Sequence, residues 1–166
     1  EISSVTVTFL DNGILYLDFS AIHNLTGAQT QAIIESHADK AVTGYILDLR
    51  NLESGNYTSA AAILVPFVNQ MTVATALYRN NSTTVIGETK ADKFTTLPIS
   101  VITNEKTGGA AELIAVTLRD ANGARIVGTG TMGYGTLQEA RSFSDGTAVE
   151  ISVATIIPAN SESVYN

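Results

Sequence analysis

Residues 44–50, "GYILDLR", constrain the fold more than any other stretch of this chain. The run is apolar almost throughout, without the alternation of a strand that faces water on one side, so it suits a strand covered on both faces, as in a parallel sheet. Other segments fit around it. "VTVTFLDNGILYLDF", residues 5–19, alternates apolar and polar about Asp11-Asn12-Gly13, the signature of a hairpin with one buried face. "LTGAQTQAIIESHADK" spaces Ala28, Ala32, Ile33 and His37 along one helical face. The Ala-rich stretch from Ser59 to Tyr78 has helical character, with Pro66 as a kink or boundary. "TTVIGE" and "PISVIT" read as strands, "GAAELIAVTLRDA" as a helix and "ARIVGT" as a strand. "LQEARSFSDGTAVEISVATIIP" reads as a hairpin turning at Asp145-Gly146, and "ANSESVYN" as an extended or frayed end. Strands and helices alternate through the middle, which predicts an α/β fold with a mixed β-sheet and flanking helices.

With 166 residues, 45% of them apolar, the chain is expected to form one domain over residues 1–166. Its formal charge of −7 disfavours nucleic acid and anionic lipid as partners, since both would repel it. Cysteine is absent, which removes disulfides, thiolate nucleophiles and thiolate-bound zinc. The longest apolar run, "AAAILVPFV" at 60–68, is far shorter than the roughly 20 residues that cross a bilayer, so no membrane span is expected here. The sequence begins at Glu1 without Met, basic n-region or apolar h-region, and is expected to be part of a longer protein with its targeting signals upstream.

The two histidines, His23 and His37, have neither a G-x-S-x-G serine turn nor further metal ligands at suitable spacing, so no metal site is expected. "GTGTMGYG", residues 128–135, matches the letters G-x-G-x-x-G. The segment that follows reads as a strand, whereas a phosphate site needs a helix N-terminus there. It is read as a tight connection between strands, and no cofactor is expected.

A more specific constellation remains. "GYILDLRN" at 44–51, "LPISVITNEKTGGAAELIAVTLRDANGARIVGTGTMGYGTLQ" at 97–138 and "FSDGTAVEISVATIIP" at 143–158 resemble, in this order, the catalytic domain of the carboxyl-terminal processing peptidases, or tail-specific proteases. In that family the first segment ends L-D-L-R-N-N-P-G-G. The second runs V-N-x-x-S-A-S-A-S-E-I-x-A-x-A-L-x-D and then G-x-x-T-x-G-K-G-x-V-Q. Asn104, Glu112, Ala115, Leu118, Asp120, Gly128, Thr131, Gly133, Gly135 and Gln138 stand in register with it. The resemblance implies a core related to the Clp peptidase and crotonase group and a polypeptide ligand such as an unfolded protein C-terminus. It also implies a setting in the cell envelope, the periplasm or outside the cell, and a companion PDZ domain expected outside these residues.

Family chemistry uses a serine at the start of a helix, a lysine as general base, and backbone N–H groups that hold the oxyanion. Position by position, the serine falls on Gly109 and the lysine on Tyr134, while the glutamine beside the lysine is kept as Gln138. Glycine offers no atom that attacks a carbonyl. The oxyanion region falls on Ser54, Gly55 and Ala110, with "LESG" in place of N-P-G-G and a side chain at the first of the paired glycines. The expectation is therefore a serine peptidase fold without activity. One alternative is an active endopeptidase with a relocated nucleophile, drawn from Ser54, Lys106 and Thr107, although a 1 Å misplacement costs on the order of a hundredfold in rate. Another is a structural or assembly role.

Overall fold

In the computed structural model, which describes residues 3–93 and 95–160, the first hairpin pairs β1 (Val5–Phe9) with β2 (Ile14–Phe19), Val5 opposite Phe19 and Phe9 opposite Leu15. Gly13 closes the turn with φ +82°, and a Cβ there would lie 2.6 Å from the Ala41 carbonyl oxygen. After α1 (Thr26–Ser36), the strand β3 (Gly44–Asp48) runs parallel to β2 and to β6 (Ile99–Thr103), which in turn pairs in parallel with β7 (Arg125–Gly128). The order β1-β2-β3-β6-β7 puts the "GYILD" strand in the middle, where Leu47 is fully buried. This is the position that a non-alternating apolar strand requires.

The remaining strands form a second, antiparallel sheet in the order β5-β4-β9-β8, made of β4 (Met71–Tyr78), β5 (Thr83–Thr89), β8 (Thr136–Ser142) and β9 (Ala148–Pro158). The mixed α/β character stands, but the strands are divided between two sheets rather than gathered in one. Apolar side chains from both sheets and from α2 (Tyr57–Leu64) and α3 (Ala110–Asn122) share a core that includes Leu15, Leu47, Ile63, Phe67, Leu113 and Ile156.

Two local expectations are corrected. The stretch 59–78 is not one helix: α2 ends at Leu64, and residues 71–78 are a strand whose Val73, Ala74 and Ala76 are wholly buried. Alanine favours helix locally, but between two neighbouring strands a small side chain allows close packing and tertiary burial prevails. On α1 the buried residues are Thr26, Gly27, Thr30 and Ile34, not the face through Ala28 and Ile33. Gly27 lets α1 approach α2, since a Cβ there would lie 2.5 Å from that of Ala62, and this contact selects the polar-looking face. The second hairpin turns at Asp145-Gly146 as read, and residues 161–166 of the expected frayed end lie outside the described residues.

Candidate active site

The helix α3 begins where the chain leaves β6 through Asn104–Gly109. Gly109 is its N-cap, with φ +55° and ψ −114°. That conformation is strained for a residue bearing a Cβ. Space is not the obstacle: a Cβ at position 109 would meet only the Tyr57 hydroxyl oxygen, at 3.7 Å. Its neighbour Gly108 is different, because a Cβ there would lie 2.8 Å from the Glu53 carbonyl oxygen and 2.9 Å from the Met132 sulfur. The two adjacent glycines thus serve different ends, close approach at 108 and a left-handed turn at 109.

The turn is held by Glu112, which lies three residues along on the first turn of α3 and is 3% exposed. Its Oε2 accepts from the backbone N–H of Gly109 and that of Tyr134, each at 2.8 Å. Its Oε1 accepts from the Gly133 N–H at 2.5 Å and from the Thr131 hydroxyl at 2.6 Å. One carboxylate therefore ties the start of α3 to the glycine-rich segment 129–135, which joins β7 to β8. Charge-assisted bonds of this kind are the strong ones, and a carboxylate at a helix N-terminus is further favoured by the helix dipole. The sequence placed Glu112 in register with a family motif but assigned it no part in the site. Its spacing of three from the N-cap is the signal that could have done so.

A second set of bonds fixes the loop before the turn. The buried Thr107 hydroxyl donates to the Leu49 carbonyl at 2.9 Å and accepts from the Asn104 N–H at 3.0 Å. Asn104 and Asn51 exchange bonds, Nδ2 to Oδ1 at 2.9 Å and Asn51 N–H to the Asn104 Oδ1 at 3.0 Å. Thr107 is thus a structural hydroxyl inside the protein. Lys106 reaches outward, 3.9 Å from Glu53, with both side chains more than half exposed. The Lys106 amine and the Thr107 hydroxyl of the relocated pair are not brought together, since the hydroxyl faces the Leu49 carbonyl and the amine faces solvent.

At the end of β3, Asp48 accepts from the Tyr16 hydroxyl and from the Arg50 Nη2, both at 2.5 Å. Burial pushes the Asp48 carboxyl up, but the bonds from Arg50 and Tyr16 outweigh it and hold the group below the usual carboxylate range. The bond to Asp48, with burial added, raises the Tyr16 phenol.

Beside Gly109 opens a cleft of about 760 Å³. Four of the sequence-predicted site positions besides Gly109 line it: Ser54, Gly55, Tyr134 and Gln138. Ala110 is brought to the same place but is buried behind it. A Cβ on Gly55 would lie 3.1 Å from that of Ala110 and 2.8 Å from that of Ile22, so only glycine fits at 55. Tyr57 was missed from the sequence. It starts α2, lines the cleft and donates its hydroxyl to the carbonyls of Thr136 at 3.1 Å and Tyr134 at 3.3 Å. Among the described residues no Lys, Arg or His lines the cleft, and His23 and His37 lie elsewhere.

The peptidase family S41 model matches residues 13–166. The chain belongs to peptidase family S41. It is 30% identical over 156 residues to the carboxy-terminal processing protease CtpA of Bacillus subtilis strain 168, covering 93% of this chain and 33% of that protein. A carboxyl-terminal-processing protease of Synechocystis is 32% identical over 119 residues, 70% of this chain and 27% of its own. The chain thus spans about a third of the length of these relatives. Among solved structures, the photosystem II D1 C-terminal processing protease superposes with a TM-score of 0.82 at 22% identity, over 99% of this chain and 46% of that one. A lipoprotein from Streptococcus agalactiae superposes with a TM-score of 0.78 at 20% identity, over 99% and 62%. These structures share the S41 fold with this chain.

Proposed function

We propose that this S41 domain is a carboxyl-terminal-processing peptidase fold without peptidase activity, and that its cleft holds extended polypeptide. One observation carries the reading: the position that the family resemblance assigns to the nucleophile is Gly109, at the edge of a cleft that no lysine or histidine lines among the described residues. A hydroxyl attacks a carbonyl only when a base takes its proton, and among the described residues that line the cleft there is no amine or imidazole to serve hydroxyls such as Ser54 and Ser152. Tyr134 stands at the position assigned to the lysine.

Peptide holding is supported by the strands that border the cleft. Both β5 and β8 are edge strands of the second sheet, and Val85, Ile86, Leu137 and Gln138 bring both edges to the cleft. An edge has backbone groups to pair with an extended chain, and such pairing needs no nucleophile. An envelope, periplasmic or secreted setting is part of the proposal, supported by the processing-protease names of the relatives and by the lipoprotein among the structural neighbours.

Incubation with an unfolded protein substrate and with a serine-directed fluorophosphonate probe tests the loss of activity. The expected result is neither cleavage nor labelling; cleavage abolished by Ser54→Ala would overturn it. Anisotropy titrations with labelled, unstructured peptides test the second part, and no binding at high protein concentration would sink it.

A further inference from the structure

The charges around the cleft are one-sided. Glu53 and Glu150 are the charged residues that line it, and both are carboxylates. Glu53 has a cation near it in Lys106, but at 3.9 Å with both side chains largely in water this pair is weak. Glu150 has no ion-pair partner among the described residues.

Strand register explains why Glu150 belongs to the cleft. Residues directly opposite in an antiparallel pair share a face, and β8 and β9 set Gln138 opposite Ser152 and Ala140 opposite Glu150. Gln138, Ser152 and Glu150 all line the cleft, whereas Val149 and Ile151, with Arg141 and Glu139 opposite them, take the other face. The one cation of this hairpin face pair, Arg141, bonds Glu139 at 2.6 Å on that far side. The cleft wall therefore carries a carboxylate whose local neutralising partner is directed away from it.

Resting on the peptide-holding reading above, we propose that the cleft selects extended segments bearing lysine or arginine, laid along the free edge of β8, with Glu150 as the residue that determines this preference and Glu53 adding to it. A chain that pairs with β8 places alternate side chains on the Gln138–Glu150 face, where an ammonium or guanidinium meets an unpaired carboxylate. An acidic segment meets like charge from the same residues, so the wall discriminates by repulsion as well as attraction.

The test compares labelled peptides of equal length and low structure, one with interspersed lysines, one neutral and one with interspersed glutamates, titrated against the whole protein. The lysine peptide is expected to bind most tightly, and its advantage over the neutral peptide to vanish at high salt. Glu150→Gln is expected to reduce lysine-peptide affinity by about twofold to fivefold and leave the neutral peptide unchanged. Glu150→Lys should invert the order of the charged peptides. Glu35→Gln, an exposed carboxylate on α1 away from the cleft, controls for the net charge of −7 and should change nothing. Equal binding of lysine and neutral peptides, or an equal loss from Glu35→Gln, overturns the selectivity while leaving peptide holding intact. Failure of all three peptides overturns both.

Discussion

One group of polar residues holds the turn that carries Gly109 and another lines the cleft beside it, and they are treated oppositely by the fold. Glu112, Thr107 and Asn104 each bond backbone groups, Asn51 bonds Asn104, and Glu112 and Thr107 are buried. Ser54, Tyr134 and Gln138, which carry or adjoin the positions assigned to chemistry, make no side-chain hydrogen bond among the described residues, and Tyr134 is 53% exposed. The first group sets the backbone, while the second is presented to whatever enters the cleft. Support and chemistry are therefore physically separable here, and a scaffold can keep the former after the latter has changed.

The separation predicts a graded set of effects. Glu112→Ala should be the most damaging, since it leaves three backbone N–H groups and a hydroxyl without their acceptor. A loss of at least about 3 kcal/mol is expected, read as a fall in melting temperature of roughly 10 °C. A change within error would show that the supporting group is not what holds the turn. Thr107→Val keeps the shape but abandons the Leu49 carbonyl and the Asn104 N–H, for about 1–3 kcal/mol by urea unfolding.

Gly109→Ser tests the other side. Its Cβ has room, so only the strained positive-φ backbone is penalised, at about 1–3 kcal/mol, and the loss should be the same with or without Tyr134→Lys. A much larger loss would mean that the turn tolerates only glycine and that the two groups are not separable. The smallest effect concerns acid. The depressed Asp48 carboxyl stabilises the fold above its ordinary value near 3.8 and loses that contribution as pH falls through the lower folded value. Asp48→Asn should flatten the fall in stability below about pH 4, as measured by denaturant midpoints across pH. An unchanged slope would show that the bonds from Arg50 and Tyr16 do not hold the Asp48 carboxyl down.

Much of the fold could be read from local pattern. The first hairpin, the buried β3, the helix after Gly109 and the Asp145-Gly146 turn each carry their cause within a few residues. What failed depended on distant neighbours: the alanines of β4 look helical until β5 and β9 are placed on either side, and the face of α1 follows from Gly27 meeting Ala62. At the site, collinear motifs brought Gly109, Tyr134, Gln138, Ser54 and Gly55 to one cleft. They did not show that Glu112 joins two segments far apart in sequence, nor that Tyr57 crosses to the start of β8, because both facts exist only once α2, α3 and the 129–135 segment are assembled.

The Glu112 carboxylate grips residue 134 by its amide alone. Nothing in that grip refers to the side chain, so the position works as a socket whose occupant can be exchanged without disturbing the wall that holds it. A lineage built on such a socket can trade one chemistry for another, or for none, and keep the same folded molecule.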